Sequence, residues 1–216
     1  MRYLEQMEAT ATAGLIALIQ SIHRRGWAPG TGGNFSQLRS RSPFRLLITA
    51  SGVDKGTVGE QQLLEVDEHG KPLDPGLKPS AETLLHLAVL HHTDAQVVLH
   101  THSIWNTLAS LAPQTSGGRS PRRFELTGLE MLKGLRGVTT HEHVEQIPIL
   151  PNSQDMPQLR LELEHLLRAE PHLHAVLICG HGLYTWGRDL AEAQRHLEVL
   201  EFLFEVALRE AALRRV

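Results

Sequence analysis

Fourteen histidines stand in a chain of 216 residues that holds only five Phe and two Tyr. Neutral imidazole is both a metal ligand and a proton carrier near neutral pH, so this excess is where chemistry is to be sought. Three His-x-His pairs occur: His100 and His102, His141 and His143, His172 and His174. In an extended segment residues i and i+2 face the same way, so each pair could grip one cation. Context separates them. The first pair ends the β-rich run Gln96 to Thr101, just before a helix cap at Ser103, where a site is both rigid and reachable. The second sits among Glu142 and Glu145 and the third follows Pro171, so both are expected on solvated surfaces. His181 lies between Gly180 and Gly182 at a break between apolar runs, where a side chain has little packing value and the backbone can approach a ligand. With the first pair it could form a facial set of three nitrogens, which suits zinc with one position left open. The bland alternative is hydrogen-bonded, partly buried imidazoles without a metal.

Glu82 and Glu130 are the carboxylates available for acid–base work, and spacing singles out neither. Glu82 falls in the first turn of a helix expected to open at Ser80, where a negative charge complements the helix dipole. Glu130 is placed to close a capping box with Thr127. The cluster Gly30-Thr31-Gly32-Gly33-Asn34 fails both the dinucleotide fingerprint and the phosphate-loop pattern. Its amides can still form an anion nest, with Thr31 and Asn34 adding side-chain donors, or it can be a plain tight connection. Ser51 and Gly52, in a second turn, and Ser80 supply further donors for a small phosphate or carboxylate pocket. Cys179, in an apolar run, is expected to be inert core, and no serine stands in a Gly-x-Ser-x-Gly elbow. Covalent catalysis is disfavoured.

The elements that must position these groups read as a mixture of helices and strands. Leu15, Leu18, Ile19 and Ile22 mark an amphipathic helix ended by Gly26. Strands are expected at Phe35 to Leu38, Leu46 to Thr49, Leu63 to Asp67, Gln96 to Thr101, Ile147 to Leu150, Ala175 to Ile178 and Leu183 to Trp186. Helices are expected from Ser80, at Ile104 to Leu111, briefly after Thr127, at Met156 to Arg168 and from Asp189 onward, the last burying Leu197, Leu200, Phe204, Leu208 and Ala211. Pro113 to Arg123, rich in Gly, Pro and Arg, reads as a mobile loop. Regular βαβ alternation is missing and several connections are too short for crossovers, so the expectation is α/β layering around a mainly antiparallel sheet in one domain, 1–216. Hydrophobic residues at 41% and charged residues at 21% fit a globular chain. A net charge of −3 gives no general attraction to nucleic acid or anionic membrane. The lone Cys179 excludes an intrachain disulfide, and with no apolar run of ~20 residues and no signal-peptide plan at Met1 to Glu5, a cytoplasmic protein is expected.

Taken in order, Gly-Thr-Gly-Gly-Asn, Thr-x-Ser-Gly, Lys-Pro-Ser-x-Glu, His-Thr-His-Ser and Gly-His-Gly-Leu-Tyr-x-Trp-Gly resemble the class II aldolase/adducin superfamily. The segments Leu126 to Gly134 and Gly182 to Gly187 resemble its branch of dehydratases acting on 5-methylthioribulose 1-phosphate, a ketose phosphate of methionine salvage. The resemblance implies a three-layer α/β/α fold and a homotetramer with active sites between subunits. It implies zinc, one per subunit, on His100, His102 and His181, and phosphate recognition by Thr31, Asn34, Ser51, Gly52 and Ser80. Glu130 matches the general acid/base of the dehydratases, and Glu82 the catalytic carboxylate of the sugar-phosphate aldolases. In some dehydratases a cysteine stands at the position of Glu82, which implies a supporting role for it here. The rival readings are a zinc-dependent aldolase or 4-epimerase of the same superfamily and an adducin-like interaction module without chemistry.

Overall fold

The computed structural model describes residues 2–112 and 121–214. The first amphipathic run forms α1 (Arg2–Arg24), which stops before Gly26, a residue in the left-handed region at φ 76°. Two hairpin-connected strands follow, β1 (Asn34–Arg41) and β2 (Phe44–Thr49), then β3 (Leu63–Val66) after a 3-10 turn at Glu60–Gln62. The chain continues through α2 (Thr83–His92), β4 (Val97–Thr101), α3 (Ile104–Leu111) and β5 (Arg122–Leu126). A second 3-10 turn, Glu130–Gly134, leads to β6 (Glu145–Leu150), α4 (Met156–Ala169), β7 (Ala175–Ile178), β8 (Gly182–Gly187) and α5 (Leu190–Leu213).

All eight strands join one sheet in the order β3-β2-β1-β4-β8-β7-β6-β5. Every pairing is antiparallel except β6 with β7, and that pair is the one joined through a helix, α4. Because strand side chains alternate faces, the sheet separates two cores. On one face Leu47, Val97, Leu99, Leu177 and Leu183 pack with Leu15 and Ile19 of α1, Ala109 of α3 and Leu197, Leu200 and Phe204 of α5. On the other, Leu46, Ile48, Val98, Val176 and Trp186 pack with Leu85 and Val89 of α2 and Leu159 and Leu163 of α4. The result is three layers, α/β/α.

Two helix starts differ from expectation. Ser80 does not cap α2: its Oγ accepts from the Glu82 amide (3.2 Å) and its carbonyl from the Thr83 amide (3.0 Å), forming a separate turn. Glu82 takes the cap position without a side-chain cap bond, which leaves its carboxylate free to reach across the sheet. The capping box of Thr127 and Glu130 does not form either, because Leu129 is the cap and Glu130 turns to Lys133 instead (2.6 Å). The caps at Ser103 and Asp189 do form, accepting from Asn106 (3.0 Å) and Glu192 (2.8 Å) amides. Arg122 and Arg123, expected in a loop, open β5 and pair across to Ile149 and Pro148. Most of that expected loop, 113–120, lies outside the described residues. Toward its end α5 leaves the core, so Leu208 is half-buried and Ala211 exposed.

Candidate metal and catalytic site

Strand register builds the site. Asn34 of β1 pairs with His100 of β4, and His100 pairs with Tyr184 of β8, so the three side chains form a row on the face covered by α2. His102 follows β4 directly, its amide held by the Trp27 carbonyl (2.8 Å). His181 sits in the tight turn between β7 and β8. The approach of these elements depends on two missing side chains. A Cβ at Gly182 would overlap the Thr101 carbonyl, and one at Gly32 would lie 2.9 Å from His102 Nδ1. With glycine at both positions, one nitrogen from each of His100, His102 and His181 lies within 4.8 Å of the others.

The donor set suits a cation. His100 Nδ1 lies 3.0 Å from the Leu183 carbonyl and therefore carries the proton, which leaves the lone pair on Nε2. That Nε2 faces His102 Nε2 at 2.7 Å. Burial, aided by the neighbouring His100 and His181, pushes the His102 imidazole down to about 3, so His102 can ligate at neutral pH. Glu82 presents Oε1 to the same point, 3.1 Å from His181 Nε2 and 3.5 Å from His100 Nε2. Burial alone would raise the Glu82 carboxyl, but hydrogen bonds and charge from His100 and His181 outweigh it and hold the group well below the usual carboxylate range. Tyr184 stacks on His100 with centroids 4.0 Å apart. Its buried hydroxyl closes no hydrogen bond of ordinary geometry, and burial together with the Glu82 charge raises its pKa. Three imidazole nitrogens and a carboxylate oxygen gathered at one point fit a divalent metal.

The candidate anion donors fall into two groups. Ser51, Gly52 and Ser80 come together, since the Ser51 amide bonds the Lys78 carbonyl (2.9 Å) and Ala50 bridges Pro79. Thr31 joins them through Lys55, a residue that no sequence motif marks. Lys55 is buried, and its Nζ donates to the carbonyls of Thr31 (2.7 Å) and Val53 (2.9 Å), tying the glycine cluster to the second turn. Burial lowers its pKa to about 8. Asn34 stands apart: it is buried, with Nδ2 on Glu82 Oε2 (2.5 Å) and Oδ1 on His86 Nε2 (2.5 Å).

Glu130 is not with the triad in this chain. It is 71% exposed and contacts Lys133 and His141 (3.9 Å). Among the other histidines, His141 and His172 are exposed as expected. His143 is only half-buried, and His174 is a buried residue rather than a solvated rim: its Nδ1 pairs with Glu145 Oε1 (3.0 Å) and its Nε2 donates to the Arg136 carbonyl (2.9 Å). Cys179 is not core either. It lies just past β7, half-buried, and accepts from Arg122 Nη2 (2.9 Å).

The model of the class II aldolase and adducin N-terminal domain matches residues 13–208. The chain belongs to this family. It is 42% identical over 207 residues to a methylthioribulose-1-phosphate dehydratase of Methylococcus capsulatus, covering 95% of this chain and 97% of that one. It is 45% identical over 204 residues to the protein of that name from Pseudoalteromonas translucida, covering 94% and 92%. Among solved structures of the family's fold, YgbL from Escherichia coli, described as a putative aldolase/epimerase/decarboxylase, superposes with a TM-score of 0.76 at 26% identity, covering 93% of this chain and 89% of that one. The l-fuculose-1-phosphate aldolase of Thermus thermophilus shares the fold with a TM-score of 0.76 at 23% identity over 96% of this chain and 98% of that one.

Proposed function

We propose that this chain is a cytoplasmic hydro-lyase of methionine salvage, converting 5-methylthioribulose 1-phosphate to 2,3-diketo-5-methylthiopentyl 1-phosphate with zinc held by His100, His102 and His181. The observation that carries this reading is the meeting of three ring nitrogens and the Glu82 carboxylate at one point, in a chain 42–45% identical over nearly its whole length to two proteins named for that dehydration. Zinc bound there supplies Lewis-acid polarisation of the C2 carbonyl. The turns at Thr31, Ser51, Gly52 and Ser80, joined by Lys55, hold the phosphate and so fix the reacting carbons relative to the histidines. Glu82 faces the three histidines, balances the cationic charge of the site and accepts from Asn34. Glu130 takes the proton from C3 and delivers it to the C4 hydroxyl, which leaves as water. The resulting enol gains a proton at C4 and becomes the 2,3-diketone.

For Glu130 to act there, a neighbouring subunit must bring it to the triad, which is the reason we propose a homotetramer with shared sites. The test mixes two inactive proteins, His181→Ala and Glu130→Gln, in co-expressed hybrid assemblies. Recovery of dehydration in the hybrids, absent from either parent, is the expected result. No recovery means that Glu130 does not work across a subunit boundary. NMR of the wild-type products decides the rival reading, since an aldolase would release carbon fragments and an epimerase no diketone.

A further inference from the structure

A buried chain of hydrogen bonds runs behind the triad, and the chemistry above does not use it. Ser36 Oγ lies 2.7 Å from His86 Nδ1, His86 Nε2 lies 2.5 Å from Asn34 Oδ1, and Asn34 Nδ2 lies 2.5 Å from Glu82 Oε2. Ser36 and Asn34 come from β1, and His86 comes from α2, one turn beyond Glu82. Ser36 and His86 are wholly buried and Asn34 nearly so.

The direction of every bond follows from its end point. The Glu82 carboxylate is an acceptor, so the amide nitrogen of Asn34 must face it and the amide oxygen must face His86. That oxygen can only accept, so His86 carries its proton on Nε2. Nδ1 is then a lone pair and accepts from the Ser36 hydroxyl. Burial keeps this imidazole neutral, near 3, so the bonding pattern is not scrambled by protonation at neutral pH. His86 also meets the edge of Tyr184, with ring centroids 5.8 Å apart, and Tyr184 in turn stacks on His100.

We propose that His86 is a positioning residue: seated on Ser36, it locks the Asn34 amide so that Asn34 holds one oxygen of Glu82 and aims the other at His100 and His181. This rests on the reading of Glu82 and the triad as the reaction centre. It gives Asn34 a structural task beside any contact with phosphate, with Nδ2 engaged by Glu82 and Oδ1 by His86. Hydrogen-bonded partners behind a metal-facing carboxylate or imidazole commonly matter ~10–100-fold for metal affinity or activity.

The test compares His86→Phe, which keeps the ring and its contact with Tyr184 but has no donor, with His86→Gln, whose amide can replace the Nε2 donor. Expected for His86→Phe is a kcat at least ~10-fold lower with KM for the phosphorylated ketose within ~3-fold, and zinc affinity ~10-fold weaker in chelator competition. His86→Gln should recover most of both. Should His86→Phe fail to fold, Ser36→Ala carries the same comparison with a smaller loss in kcat. Independently of activity, long-range proton–nitrogen NMR of histidine-labelled wild type should show the His86 proton on Nε2 throughout pH 6–8. A proton on Nδ1, or a His86→Phe protein that keeps full kcat and zinc affinity, overturns the proposal. A loss confined to KM, or one equal in the Phe and Gln variants, also overturns it. If the wild type does not dehydrate the ketose at all, the proposed function fails, and the NMR and zinc readouts still decide the relay.

Discussion

His100, His102 and His181 separate from the other histidines by convergence, one ring nitrogen of each meeting at a single point. His102 is held neutral by burial, and His100 already spends its Nδ1 proton on the Leu183 carbonyl. We therefore expect His181→Ala to lose most of its zinc, measured by metal analysis of the purified protein, while His141→Ala keeps wild-type content. Undiminished zinc in His181→Ala would move the third ligand elsewhere. The triad was legible because glycine-flanked His181 and a strand-ending His-x-His are unusual settings for imidazole. Glu82 was visible only as one of two carboxylates, since its pairing to His181 depends on a helix that starts two residues later than a cap at Ser80 suggests. Lys55 and His86 were not legible at all. A lysine in a Gly-rich turn reads as surface charge, and a histidine in an apolar helix reads as core; only tertiary contact shows that each directs its nitrogens at other polar groups.

At the level of elements, the site is a set of turns brought to one side of the β1-β4-β8 row. Lys55 is the joint between two of them, its buried amine donating to one backbone carbonyl in each turn. Lys55→Met keeps the length and removes both bonds, and with them the tie between the two turns. The expected outcome is a KM for the phosphorylated ketose raised ~10-fold or more with a smaller change in kcat, since the turns misplace the phosphate rather than the triad. Steady-state kinetics, with inorganic phosphate as competing inhibitor, checks it, and an unchanged phosphate inhibition constant would dissociate Lys55 from the anion pocket. Strand positions were largely legible from β-rich runs between turn residues. Helix starts were less so: Ser80 and Thr127 have the residue types of caps, yet each sits where the backbone has not begun to wind. β5 was hidden, because Arg122 and Arg123 carry the composition of a loop and pair as an edge strand.

The whole molecule is legible as layers because each buried strand supplies apolar residues to two cores, but its electrostatic balance is a property of the assembled fold alone. His196 of α5 is the clearest case. Its Nδ1 donates to the Trp186 carbonyl (2.8 Å) and its Nε2 accepts from the Arg136 amide (3.1 Å), so the neutral ring is fully satisfied. Burial lowers its pKa to about 4, against the bond from Trp186, which raises it. His86 is lowered further by its own burial, to about 3. For such a group the unfolded chain binds a proton between the folded value and 6.5 that the folded chain refuses. Its contribution to stability is full above 6.5 and is lost as pH falls toward the folded value. Glu201, buried against Ser103 and Asn106, works the other way: burial raises it to about 7, so the folded state holds a proton between 4.5 and 7 and stability falls as pH climbs through that range. The two imidazoles together outweigh the single carboxyl between pH 5 and 6.5, so the metal-free protein should lose stability on acidification well before ordinary carboxylates titrate. Denaturant unfolding at pH 7 and pH 5 measures this, and His196→Asn, which has no titrating ring, should show a smaller difference between the two pH values than the wild type. Glu201→Gln should show a larger one, because it removes the opposing carboxyl. A His196→Asn protein as acid-sensitive as the wild type would place the acid lability on groups other than the buried imidazoles.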